Sequence, residues 1–155
     1  IDKDKMAKAD RVIPTMLDYN THINKNSAFN TPPVYAIYIC MLTLRWVKEM
    51  GGTSAMEKHN QDKGQLLYNE IDSNPFFTGA AAKEDRSLMN ATFVMSDGNE
   101  GLMDDFLVAA TAADCIGIKG HRSVGGFRAS IYNAMTYDSV QVLVDVMKDF
   151  AQKHG

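Results

Sequence analysis

An α+β fold, a small and mainly antiparallel sheet covered by helices on one face, is what this sequence predicts. Three observations lead there: an apolar stripe of helical period near the C-terminus, short β-prone segments separated by helical stretches, and a glycine-rich basic loop joining two of those segments as a hairpin would.

Residues 1–33 are polar and punctuated by proline, with no sustained period apart from a short helix around 4–9, and read as an extended arm. At Thr31-Pro32-Pro33 the pattern changes. Thr31 can cap, proline is tolerated in a first helical turn, and Ile37, Tyr38, Met41, Leu42 and Val47 then recur at helical spacing, so a helix is expected over 33–50. Gly51-Gly52 stops it. Ser54-Ala55-Met56-Glu57 reads as a capping box for a second helix with Leu66, Leu67 and Ile71 on its apolar face, ended by Asn74-Pro75. Residues 76–98 read as a strand pair or a strand plus loop, with 88–95 the better strand and Ser96-Asp97-Gly98 a turn. Leu102, Met103, Phe106, Leu107 and Ala110 define a helix over 99–113. Residues 115–118 are expected as a short strand entering the basic loop and 130–133 as the returning strand. Thr136 caps a final helix whose Val140, Leu143, Val144, Met147, Phe150 and Ala151 form a clean core-facing stripe. Trp46 and the methionines read as core fillers, and His59 and His154 as solvated.

Composition narrows the function classes. The chain has 155 residues, 45% hydrophobic and 23% charged, with a net charge of −3 and no apolar run long enough to span a bilayer. A mildly acidic chain lacks the dispersed cations that a phosphate backbone demands, so no nucleic-acid partner and no membrane are expected. Cys40 and Cys115 lie in apolar contexts and read as buried thiols, fitting neither a disulfide framework nor a metal spacing; a cytoplasmic setting follows, and no metal is expected.

The chemistry concentrates between Gly120 and Ser130, where His121, Arg122, Ser123, Gly125, Gly126 and Arg128 put two guanidiniums, an imidazole and a glycine pair within eleven residues. Arginine forks suit carboxylate and phosphate oxygens, and glycines let backbone N–H groups approach the same anion. The loop therefore reads as an anion site, or else as a solvated hairpin turn whose arginines face water.

The segment Gly120–Ala134, together with Thr15-Met16-Leu17-Asp18-Tyr19 and Ser27-Ala28-Phe29-Asn30-Thr31-Pro32-Pro33 upstream, resembles the C-terminal part of the phosphoserine aminotransferase family, pyridoxal-phosphate enzymes of fold type I and class V. The resemblance implies a remnant of the large cofactor-binding domain over 1–33 and the small C-terminal domain over 34–155. It implies that this is a C-terminal portion lacking the cofactor lysine, since no lysine here lies in the family's Gln-Lys-Asn-Gly context, and the start at Ile1 points the same way. No catalytic residue is therefore expected in the chain.

By the same resemblance, Asn30 and Thr31 would bind the phosphate of pyridoxal phosphate across a homodimer interface. Arg128 would bind the substrate α-carboxylate, and His121 and Arg122 would face the phosphate of phosphoserine in the other subunit's active site. His121 reads equally as a satisfied loop histidine. His22 is given a positioning role only. The activity implied is transfer of an amino group from glutamate to 3-phosphohydroxypyruvate, giving phosphoserine and 2-oxoglutarate. The alternatives are a related aminotransferase of the serine or alanine to glyoxylate type, or a non-catalytic binding or dimerisation module.

Overall fold

The computed structural model describes residues 2–6, 11–122 and 125–155. It divides into two compact units, Ile1–Trp46 and Val47–Gly155.

The first unit carries helix α1 (Lys3–Met6), a 3-10 turn (Thr15–Leu17), helix α2 (Tyr19–Ile23) and most of helix α3 (Val34–Glu49), which runs across the boundary. The short helix expected over 4–9 is present as α1, and its second half lies outside the described residues. Asp18 caps α2, its carboxylate accepting from the Asn20 backbone N–H at 2.9 Å. Thr31 does not cap α3. The first helical bond runs from the Ile37 N–H to the Pro33 carbonyl at 3.1 Å, so Pro33 occupies the cap position and the threonine lies too far upstream. No residue of α3 is buried, and apolar side chains stand out all round it, Tyr35 79% and Leu44 68% exposed. Cys40 is exposed on this helix and Cys115 is half-buried, so the expectation of two buried thiols fails.

Helix α4 (Gly52–Ser73) starts earlier than the capping box requires. Gly51 and Gly52 take φ of +100° and +82°, reversing the chain so sharply that Ser54 and Glu57 already lie inside the helix, and no side chain caps it. At its other end the Asn74 amide donates to Glu70 Oε1 at 2.8 Å and to the Met147 carbonyl at 3.1 Å. Strands β1 (Phe77–Gly79), β2 (Asn90–Met95) and β3 (Phe127–Ser130) form an antiparallel sheet in that order, with helix α5 (Met103–Ala112) between β2 and β3 and helix α6 (Tyr137–His154) last. The α+β expectation is thereby met. Thr136 caps α6, accepting from the Ser139 N–H at 3.1 Å, and Val140, Leu143, Val144, Met147 and Phe150 are buried.

Alternation along the strands decides which face does what. Phe77, Ala91, Phe93, Met95, Phe127 and Ala129 are buried in one core with Leu67 and Ile71 of α4, Phe106 and Ala110 of α5 and the α6 stripe. Thr78, Asn90, Thr92, Arg128 and Ser130 alternate with them and are not buried. Two expectations for this region need correcting. Residues 115–118 form no strand: Asp114 takes φ of +59° and the Cys115 N–H bonds back to the Ala110 carbonyl at 2.9 Å, closing off α5. The returning strand is β3, three residues earlier than 130–133, and the entering side contributes only the bridge between Lys119 and Phe127.

Outside the sheet, Arg86 fixes the loop before β2. Its guanidinium makes a bidentate pair with Asp72 at 2.7 and 2.9 Å and lies 4.7 Å from the centre of the Tyr68 ring. The hydrogen bonds from Arg86 and then Lys83 lower the Asp72 pKa from 3.8 to about 2. A carboxylate held below its unfolded value stabilises the fold fully above about pH 4 and loses that contribution as pH falls through about 2. Asp72→Asn should flatten the fall of the urea midpoint across that window while staying folded at neutral pH. An unchanged acid slope in the variant would refute the assignment.

Candidate functional site

The residues picked out by sequence fall into two groups. Asn30 and Thr31 belong to the first unit; His121, Arg122 and Arg128 belong to the second.

Asn30 and Thr31 lie in the non-helical stretch just before α3, and both are exposed. Their delivery there is local. After α2 the chain turns through Asn26 and Ser27, two non-glycine residues at φ of +49° and +63°, and the Ser27 N–H bonds to the His22 carbonyl at 2.8 Å. The His22 ring holds both sides of this turn, with Nε2 3.0 Å from the Met16 carbonyl oxygen and the ring edge-on to Phe29 at 6.4 Å between centroids. The Asn30 amide makes one long contact, 3.4 Å, to the Thr31 carbonyl. The Thr31 hydroxyl has no partner among the described residues.

The second group sits on a hairpin. The Gly120 N–H bonds to the Gly126 carbonyl at 2.8 Å, the Gly125 N–H to the His121 carbonyl at 2.8 Å, and the Arg128 N–H to the Ile118 carbonyl at 2.7 Å. His121 and Arg122 thus occupy the turn and are exposed, while Ser123 and Val124 lie outside the described residues. Gly126 is required twice over: its φ is +62°, and a Cβ there would lie 2.7 Å from the Phe93 carbonyl oxygen. A Cβ on Gly120 would run into the Gly125 carbonyl.

Arg128 is two residues beyond this turn, inside β3 and opposite Thr92. Strand alternation forces it outward, since Phe127 and Ala129 on either side are in the core. Its guanidinium has no hydrogen bond or ion pair among the described residues, whereas Arg86 in the same unit is fully engaged with Asp72. Beside it lies a polar chain the sequence reading missed. Ser130 Oγ donates to Asn90 Oδ1 at 3.1 Å, and Asn90 Nδ2 donates to the Tyr132 hydroxyl at 3.2 Å. The available signal was the asparagine opening a β-branched and aromatic strand, where an amide needs a partner.

The two histidines read as solvated are also engaged. His59 Nε2 lies 3.1 Å from the Met135 carbonyl oxygen, and the His154 ring stacks on Phe150 at 4.3 Å. Cys115 is a poor nucleophile, because burial first and Asp114 second push its pKa up.

An outward arginine on an open sheet face, next to a basic glycine-shaped turn, offers donors suited to an anion, and comparison with known proteins gives the chain a family. The aminotransferase class-V model matches residues 9–143, and the chain belongs to that family. Within it, the chain is similar to the phosphoserine aminotransferase of Parabacteroides distasonis, 56% identical over 97% of this chain and 42% of the relative. Among solved structures it is similar to the phosphoserine aminotransferase from Bacillus circulans subsp. alkalophilus, with a TM-score of 0.86 and 40% identity over all of this chain and 43% of the other. A phosphoserine aminotransferase from Trichomonas vaginalis with bound pyridoxal phosphate matches at a TM-score of 0.78 and 39% identity, over 90% of this chain and 40% of the other. The chain therefore spans about 42% of the length of the curated relatives it matches. No helix among the described residues is long and apolar enough to cross a membrane.

Proposed function

We propose that this chain is the C-terminal part of a phosphoserine aminotransferase, which moves an amino group from glutamate to 3-phosphohydroxypyruvate and releases phosphoserine and 2-oxoglutarate. The observation that carries the proposal is the uncommitted Arg128 guanidinium on the open sheet face. A bidentate fork there holds the α-carboxylate in a fixed plane, orienting the Cα–H bond for proton removal. Pyridoxal phosphate supplies the electron sink that makes that proton acidic.

The residues present fit this cofactor's phosphate. The Thr31 hydroxyl and the Asn30 amide have no strong competing bonds, and they precede a 16-residue helix whose N-terminal dipole favours an anion. In this reading residues 1–33 belong to the large cofactor domain and 34–155 to the small one. The enzyme works as a homodimer in the cytoplasm, with Asn30 and Thr31 serving the neighbouring subunit's cofactor. The apolar side chains exposed along α3 support an interface there, since a helix apolar on every side is a helix meant to be covered.

His121 and Arg122 are assigned to the phosphate of phosphoserine. Phosphate carries nearly two charges where the glutamate side chain carries one, so the pair discriminates by charge. Changing His121 to Asn and Arg122 to Gln together should weaken phosphoserine about tenfold or more relative to glutamate in the two half-reactions. Equal losses for both donors would show that these residues do not read the phosphate, and would favour an aminotransferase for an unphosphorylated amino acid.

A further inference from the structure

Lys63 is the one charged residue of α4 drawn wholly into the interior, at 0% exposure. Among the described residues its ammonium meets no carboxylate. It donates instead to three carbonyls, those of Ile131 at 3.2 Å, Tyr132 at 2.8 Å and Met135 at 2.8 Å. These belong to the stretch where the chain leaves β3 and turns toward α6, and an ammonium, with three protons, can satisfy all three oxygens at once. Burial pushes its pKa down, but a neutral amine has only two N–H groups and would leave one carbonyl unserved. Asn60, three residues earlier on the same helix, donates to Asn133 Oδ1 at 2.8 Å, and His59 reaches the Met135 carbonyl. One face of α4 thus grips residues 131–135.

The gripped segment leads back to Arg128. Tyr132 accepts from Asn90, Asn90 accepts from Ser130, and Ser130 lies two residues from Arg128 on the same strand and the same face. We propose that Lys63 is a positioning residue of the carboxylate site: by holding the carbonyls of Ile131, Tyr132 and Met135 it fixes the end of β3 and the Tyr132–Asn90–Ser130 chain that flanks the Arg128 guanidinium. This rests on the reading of Arg128 as the carboxylate ligand. A guanidinium displaced by a fraction of an ångström loses one of its two hydrogen bonds, so the lysine acts on substrate affinity without touching substrate.

The test is a double-mutant cycle in the holoenzyme, with the dissociation constant of α-methylglutamate, which keeps the α-carboxylate but has no α-proton, read by calorimetry. Lys63→Met should raise that constant about tenfold, and in an Arg128→Ala background it should add nothing. Met147→Ala, a core deletion with a comparable loss of melting temperature, should leave affinity unchanged. If Lys63→Met proves too unstable to purify, Tyr132→Phe removes the Asn90 contact from an exposed position and should raise the constant about threefold only while Arg128 is present. No loss of affinity in the folded variants, or a loss that adds fully to that of Arg128→Ala, overturns the proposal. If Arg128→Ala itself binds like wild type, it is the carboxylate reading that fails.

Discussion

Arg128→Ala should depress kcat/KM for glutamate and for phosphoserine alike, by about 10- to 150-fold, the range expected when a charge-assisted hydrogen-bonded contact is lost. Both donors carry the same α-carboxylate, so the arginine cannot distinguish them, in contrast to the role proposed for His121 and Arg122. The fold should hardly notice the change. The side chain stands on the open sheet face without a hydrogen bond or ion pair among the described residues, so its removal breaks no bond there and leaves Phe127 and Ala129 in the core. Arg128→Lys should recover only part of the activity, because a point charge replaces a planar fork. Steady-state kinetics with each donor, alongside the melting temperature, checks the claim. Unequal losses would place Arg128 at a distal group, and an unchanged kcat/KM would remove it from the site.

How far such a site can be read from sequence depends on the range of the interactions that make it. The α6 stripe was legible because its period is local, and so was the Thr136 cap. The basic loop was legible as a hairpin because Gly125 and Gly126 signal positive φ, yet the returning strand was placed three residues late. Ile131 and Tyr132 have strong strand propensity, but their carbonyls are taken by Lys63, so the ladder ends just where propensity says it should run. Phe127-Arg128-Ala129-Ser130 alternates with a period of two, a signal for the outward arginine that placing the strand at 130–133 passed over. Lys63 could not be found this way: it sits among Gln61, Asp62 and Gln65, and its burial is decided by partners 68 to 72 positions away. For α3 the helical spacing of Ile37, Tyr38, Met41, Leu42 and Val47 was legible, but spacing alone did not show that none of them is buried.

Phe106→Ala should be the most damaging single substitution in the second unit, lowering its stability by about 3–5 kcal/mol. Phe106 is 0% exposed, and its ring lies edge-on to Phe77 at 4.8 Å, Phe127 at 5.0 Å and Phe150 at 5.3 Å, so it joins α5 to β1, β3 and α6 at one point. Edge-to-face pairs add to the area buried, and a cavity among three rigid rings cannot collapse as one lined by leucines can. Phe106→Leu refills most of the volume and should cost less than half as much. Urea unfolding followed by circular dichroism separates the two variants. The consequence reaches the site through Phe127, which anchors β3 from below while Arg128 points away from the same strand. Because Phe106 packs directly on Phe127, Phe106→Ala should raise KM for both amino donors by loosening β3 itself, beyond what a core deletion of equal cost elsewhere would do. If Phe106→Ala unfolds no more easily than Phe106→Leu, the aromatic cluster is not what holds β3 in register, and the rigidity of the carboxylate site must come from the Lys63 grip alone.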